Sequence, residues 1–136
     1  MRGSLQSYRK VSLDNEIASA SPHRIIQMML AGALERLAQS RYAIENKDIQ
    51  TKGILLSKAI GIINGLNSSL NMQAGGEIAN NLSELYAFML RRITFANINN
   101  DLQAIDDVMT ILRDIKEGWD AIPDSEHHLS VNSELV

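Results

Sequence analysis

At 136 residues, 45% of them hydrophobic and 4% aromatic, the chain is long enough for one self-sufficient core and points to an aliphatic, helix-packed interior. It has no cysteine, which excludes disulfides, thiolate zinc sites and thiol nucleophiles, and its formal charge of −3 argues against a nucleic-acid partner. No apolar run approaches the roughly 20 residues of a membrane span and MRGSLQSYRK lacks the apolar centre of a signal peptide, so a cytoplasmic protein without direct membrane insertion is expected.

Residues 1–20 scatter Leu5, Tyr8, Val11, Leu13 and Ile17 among polar residues and read as an N-terminal arm or cap against the main body. Ser21-Pro22 is a start signal, with Ser as N-cap and Pro at the first helical position. The first helix is predicted over about 22–46. Its stripe is Ile26, Met29, Ala33, Leu37 and Ile44, widened by Ile25, Met28 and Leu30, and Ala31-Gly32-Ala33 invites close approach of a neighbour. The short polar link Asn46-Lys47-Asp48 implies antiparallel neighbours. A second helix follows over about 49–71, with Leu55, Ala59, Ile62, Ile63, Leu66 and Leu70 as its stripe and Leu56 and Ile60 extending it. On its far side Ile54, Gly61 and Gly65 form a flat strip. Each glycine there costs roughly 1 kcal/mol against alanine, and two explanations stand: a closely packed neighbouring helix, or a partner site.

Met72 to Gly76 reads as a turn, and a third helix follows over about 76–98. Ile78, Leu82, Leu85, Met89, Ile93 and Ala96 line up on one side of it, with Tyr86 and Leu90 on the shoulder. Phe88 and Phe95, the only two Phe residues, lie seven apart on a different side that also carries Glu84 and Arg91. Packing on a flanking helix would account for them. Yet the apolar arc would then exceed the roughly 100° stripe of an ordinary surface helix, and a strip offered to a partner is the competing explanation. Asn100 with Gln103 reads as a capping box for a fourth helix over about 101–121. Its Ile105, Val108, Leu112, Ile115 and Trp119 recur at steps of three and four, the seam of a left-handed bundle. Pro123 closes it, and 124–136 reads as a disordered tail. The expected fold is all-α: an antiparallel up-down four-helix bundle over 21–123 with a short N-terminal cap segment.

Catalytic and metal motifs are missing. His23, His127 and His128 have no carboxylate or second His at i+3 or i+4, so neither a metal site nor a cofactor is expected. Asp106-Asp107 and Asp14-Asn15-Glu16 are adjacent acids that point different ways on a helix. Gly75-Gly76 lacks the Lys-Ser/Thr of a phosphate loop. A small helical mutase would need cations inside the bundle, but Arg24, Lys58, Arg91 and Arg92, with Glu84 as the acid, all fall outside the core stripes. A purely structural homo-oligomer, pairing through the second face of the third helix, is the other alternative.

The runs LQSYRKV (5–11), ASPHRIIQMMLAGALERL (20–37), LSKAIGIINGLNSSLNMQAGGEIANNLSELYAFMLRRITFANINND (56–101) and AIDDVMTILRDIKEGWDAIP (104–123) together resemble the flagellin-specific export chaperones of the FliS family. Many members read Leu-Tyr-Asp-Gly where this chain has Met29-Leu30-Ala31-Gly32, so no role for that Tyr or Asp carries over. The resemblance implies a non-enzymatic four-helix bundle that binds the disordered C-terminal segment of flagellin, prevents premature polymerisation, and presents the client to the cytoplasmic domain of a flagellar export gate component. It further implies that Leu5 and Tyr8 in the arm bear on gate recognition and on covering the groove. Joined to the residue reading, it places client contacts at Phe88 and Phe95 and at the Ile54, Gly61 and Gly65 strip, with the empty form able to pair as a homodimer through the same strips.

Overall fold

The computed structural model describes residues 20–126. Four helices follow one another: α1 (Pro22–Glu45), α2 (Ile49–Ser68), α3 (Met72–Asn99) and α4 (Leu102–Asp120), with a single 3-10 turn at Asp124–Glu126 where the sequence suggests no structure. Each helix begins on a polar side chain that accepts an otherwise unpaired backbone N–H. Ser21 accepts from Arg24, Asp48 from Thr51, Asn71 from Ala74 and Asp101 from Ala104. Two of these caps differ from the sequence reading. The third helix starts at Met72 because Asn71 caps it, and it absorbs the expected turn as a kink at Gly76 (φ 53°, ψ −128°), a conformation in practice open to glycine alone. The cap of α4 is Asp101, because Asn100 is spent closing α3 in the left-handed region (φ 53°).

Packing contacts run α1–α2, α2–α3, α3–α4 and α4–α1, a closed square. The order is antiparallel. Gln27 reaches Asp120 and Arg41 reaches Asp106, so the pairs advance along α1 as they recede along α4. Small residues bring α1 and α2 close: a Cβ on Gly32 would meet Ile62 Cδ1 at 3.6 Å, and one on Gly65 would meet Met29 Cε at 2.8 Å. The core is a single cluster in which Leu30, Leu37, Leu56, Ile63, Met89, Ile93, Ile105 and Leu112 are completely enclosed. Each such side chain stabilises the fold by about 1.5–3 kcal/mol. Tyr86 is also buried here, which pushes its phenol up to about 12.

The two ends of the bundle are built differently. At one end Trp119 stacks on the buried His23 ring (4.9 Å between centroids) and donates its Nε1 hydrogen to the His23 carbonyl at 2.9 Å. At the other end Lys52 is buried, and its Nζ donates to the Asn97 carbonyl (2.8 Å) and to Asn100 Oδ1 (2.7 Å). A charged side chain thus ties the start of α2 to the last turn of α3. The apolar stripes gave no sign of it.

Candidate functional site

On α3 the core face is shifted from the expected one. Ala79, Tyr86, Met89, Ile93 and Ala96 are buried, whereas Ile78 is 64% exposed and Leu85 38%. The helix rolls so that the Tyr86 ring is enclosed, and the small Ala79 takes the inward place that the larger Ile78 was expected to fill. Phe88 and Phe95 are 38% and 42% exposed. Burial within the protomer therefore accounts for them only in part. Ile78, Asn81, Leu85, Phe88, Arg92 and Phe95 succeed one another at alternating steps of three and four, so the helix carries a second seam outside its core seam.

Arg92 shows where this second seam points. Its Nη2 donates to Asp107 Oδ2 on α4 at 3.2 Å, while its guanidinium carbon lies 5.0 Å from the centre of the Phe95 ring. The seam therefore borders the α3–α4 side of the bundle. Along the adjoining edge of α4, Ile111 is half-buried and Gly118 has open space where a side chain would project.

The second predicted strip lies on α2, where Ile54 and Gly61 sit on the face turned away from the buried Lys52, Leu56 and Ile63. Ile54 is 51% exposed, and a side chain at Gly61 would meet nothing within 4 Å. Gly65 differs from both, since it lies under Met29 and serves the close α1–α2 packing. Toward the Lys52 end, α1 and α2 enclose a cleft of about 610 Å³ lined by Ala38, Gln39 and Tyr42 of α1 and by Thr51 and Leu55 of α2. Tyr42, 70% exposed, escaped the sequence reading, although an aromatic residue off the 3/4 stripe of its helix was the available signal. Beside the cleft, bonds from the Thr51 hydroxyl and N–H hold the Asp48 carboxyl below the usual aspartate range, which keeps the turn capped.

Leu5 and Tyr8 lie outside the described residues. Among the described residues no cluster of three potential metal ligands occurs, and no helix is long and apolar enough to cross a membrane. The cations considered for a mutase pocket do not converge: Arg24, Lys58 and Arg91 are exposed and Arg92 is committed to Asp107. What the surface offers is two apolar strips on different helices, an aromatic one on α3 and a smooth one on α2.

The model of the family described as flagellar protein FliS matches residues 4–126. Among relatives, the chain is 52% identical to the flagellar secretion chaperone FliS of Vibrio cholerae over 130 residues, covering 96% of each chain. It is 47% identical to the flagellar secretion chaperone FliSB of Pseudomonas aeruginosa, covering 87% of this chain and 94% of the relative, and 32% identical to FliS of Bacillus subtilis, covering 82% and 83%. The fold also matches a crystal structure of a flagellar chaperone from bacteria, with a TM-score of 0.69 at 18% identity over 86% of this chain and 94% of that one. With a family model spanning nearly all of it and a relative half identical along almost its full length, the chain belongs to the FliS family of flagellar secretion chaperones.

Proposed function

We propose that this chaperone, a member of a family that is not enzymatic, holds the C-terminal segment of flagellin in the cytoplasm until export. The segment is disordered when free, so docking must offset its ordering entropy with extended apolar contact. The observation that carries this reading is the second seam of α3, whose Phe88 and Phe95 remain exposed in the folded protomer. Helix-in-groove binding uses 3/4-spaced anchors of this kind. Ile54 and Gly61 on the outward face of α2 supply a second contact, and Gly65 supports it from the α1–α2 seam. A client engaging both strips wraps the bundle instead of occupying one pocket.

The arm bearing Leu5 and Tyr8 covers a groove in the empty chaperone, is displaced by flagellin, and carries the signal for the gate component; two empty chaperones pair through the strips that flagellin would cover. The test uses purified flagellin, intact and lacking its C-terminal segment. Intact flagellin should form a stable complex and stay unpolymerised, and the truncated form should not bind. Equal binding of both forms would overturn the assignment. Deleting residues 1–17 should leave binding equal or stronger, and a large loss would make the arm a contact.

A further inference from the structure

We propose that α3 selects its client by charge. In this inference, which rests on reading the same face as a client surface, Glu77, Glu84 and Arg91 flank the exposed seam of Ile78, Leu85, Phe88 and Phe95. The helix that fits there carries two basic side chains and one acidic side chain at successive heptad positions along one edge of its apolar face.

The spacing comes first. Glu77, Glu84 and Arg91 are seven residues apart, roughly 10 Å per step along the helix, and therefore follow the edge of the second seam in register with it. All three are exposed. In two-stranded helical packing such flanking positions set partner choice and orientation.

The charges are also unspent. On a helix an ion pair needs an opposite charge three or four residues away. Glu77 has Asn80 and Asn81 ahead of it, Glu84 has Ala87 and Phe88, and Arg91 has Thr94 and Phe95 ahead with Ala87 and Phe88 behind. Across the bundle they find nothing either: among the described residues the ion pairs of α3 reduce to Arg92 with Asp107. The neighbouring Arg92 thus neutralises an acid of its own bundle, while Arg91, one residue earlier, is directed away from it. Glu77 has a second use, since it opens the straight part of α3 after the Gly76 kink and a carboxylate there favours the helix dipole. That role accounts for neither Glu84 nor Arg91, and it would register in stability, not in partner choice.

The face therefore reads acid, acid, base along an apolar floor. A second copy of α3 laid antiparallel on it would set Glu77 opposite Arg91 but leave Glu84 facing Glu84, so a foreign helix of base, base, acid pattern fits better than self-pairing.

The test uses two synthetic amphipathic helices with identical apolar heptads, one flanked by Lys, Lys, Glu and the other by Glu, Glu, Lys, each made in both chain directions. Binding to the full chain is read by fluorescence anisotropy at low ionic strength, where exposed charges are least screened. The wild-type protein should prefer the Lys, Lys, Glu helix in one direction by about tenfold, and the variant Glu77→Lys/Glu84→Lys/Arg91→Glu, folded by circular dichroism, should reverse the preference. Equal affinities, an unreversed preference, or binding of neither helix would overturn the charge code. Flagellin separates the two readings. If its C-terminal segment binds wild type and the charge-reversed variant equally, the code is wrong and the client surface stands; if wild type does not bind it, both fall.

Discussion

Replacing Lys52 with methionine should destabilise the protein by about 1–3 kcal/mol. Methionine keeps most of the length and apolar bulk of the stem, so the change isolates the ammonium group. That group makes two short bonds, to the Asn97 carbonyl at 2.8 Å and to Asn100 Oδ1 at 2.7 Å, and hydrogen bonds to charged groups contribute about 1.5–3 kcal/mol each. Two effects reduce the sum. Asn97 and Asn100 are exposed residues, so water can satisfy the abandoned acceptors, and removing the cation relieves its own desolvation. Urea unfolding followed by circular dichroism should show a lower midpoint with an unchanged slope, and thermal unfolding should fall by roughly 3–10 °C. Asn100→Gly keeps the left-handed cap (φ 53°) while deleting the Oδ1 acceptor. The two substitutions should therefore couple by at least about 0.5 kcal/mol in a double-mutant cycle. Wild-type stability for Lys52→Met, or strict additivity with Asn100→Gly, would refute the idea that this buried lysine pins α2 to the last turn of α3.

At Gly76, alanine should cost about 1–3 kcal/mol in thermal or urea unfolding, because the backbone there (φ 53°, ψ −128°) excludes a side chain on conformational grounds even though the space is open. A variant as stable as wild type would show that the kink relaxes freely. Gly61→Ala has the opposite sign: with nothing within 4 Å, it should stabilise the free protein by up to about 1 kcal/mol. It should also weaken binding of the flagellin C-terminal segment several-fold, and unchanged affinity would remove Gly61 from the contact surface. Burial raises the Tyr86 phenol to about 12, so its stabilising contribution is complete below the ordinary tyrosine value of 10.0 and is lost as pH rises from there toward 12. An ultraviolet titration should show a late-ionising tyrosine that disappears in Tyr86→Phe, and simultaneous ionisation of all tyrosines would contradict its burial.

Much of the fold was legible because its periodicity is clean. The 3/4 steps of Ile105, Val108, Leu112, Ile115 and Trp119 follow the inward face of α4, all buried but the half-buried Ile115, and Ser21-Pro22 marks the start of α1. Where apolar residues cover more than one face, periodicity alone cannot say which arc turns inward. That is why the pattern places Ile78 and Leu85 in the core and passes over Ala79: residue size suggests one side, while enclosing Tyr86 requires another. Lys52 leaves no mark in the apolar stripes, because its stem is buried while its charged head caps another helix. The candidate surface was legible in part. Phe88, Phe95 and Ile54 could be singled out as apolar residues that the core stripes left over, and all three are exposed. The two glycines looked alike in sequence, and only the position of Met29 separates Gly65, in contact, from Gly61, in the open. Tyr42 and the cleft beside it depend on how α1 and α2 are set against each other next to their connecting turn, which no helical pattern encodes.

The most direct measurement is the affinity of the flagellin C-terminal segment for the Phe88→Ala/Phe95→Ala protein, read by fluorescence anisotropy. Both rings are partly exposed, so their removal should leave the helical signal of the bundle intact while weakening binding at least about tenfold, as expected when aromatic anchors are lost. An unchanged affinity in a protein with native circular dichroism would contradict the claim that the outer seam of α3 holds the client.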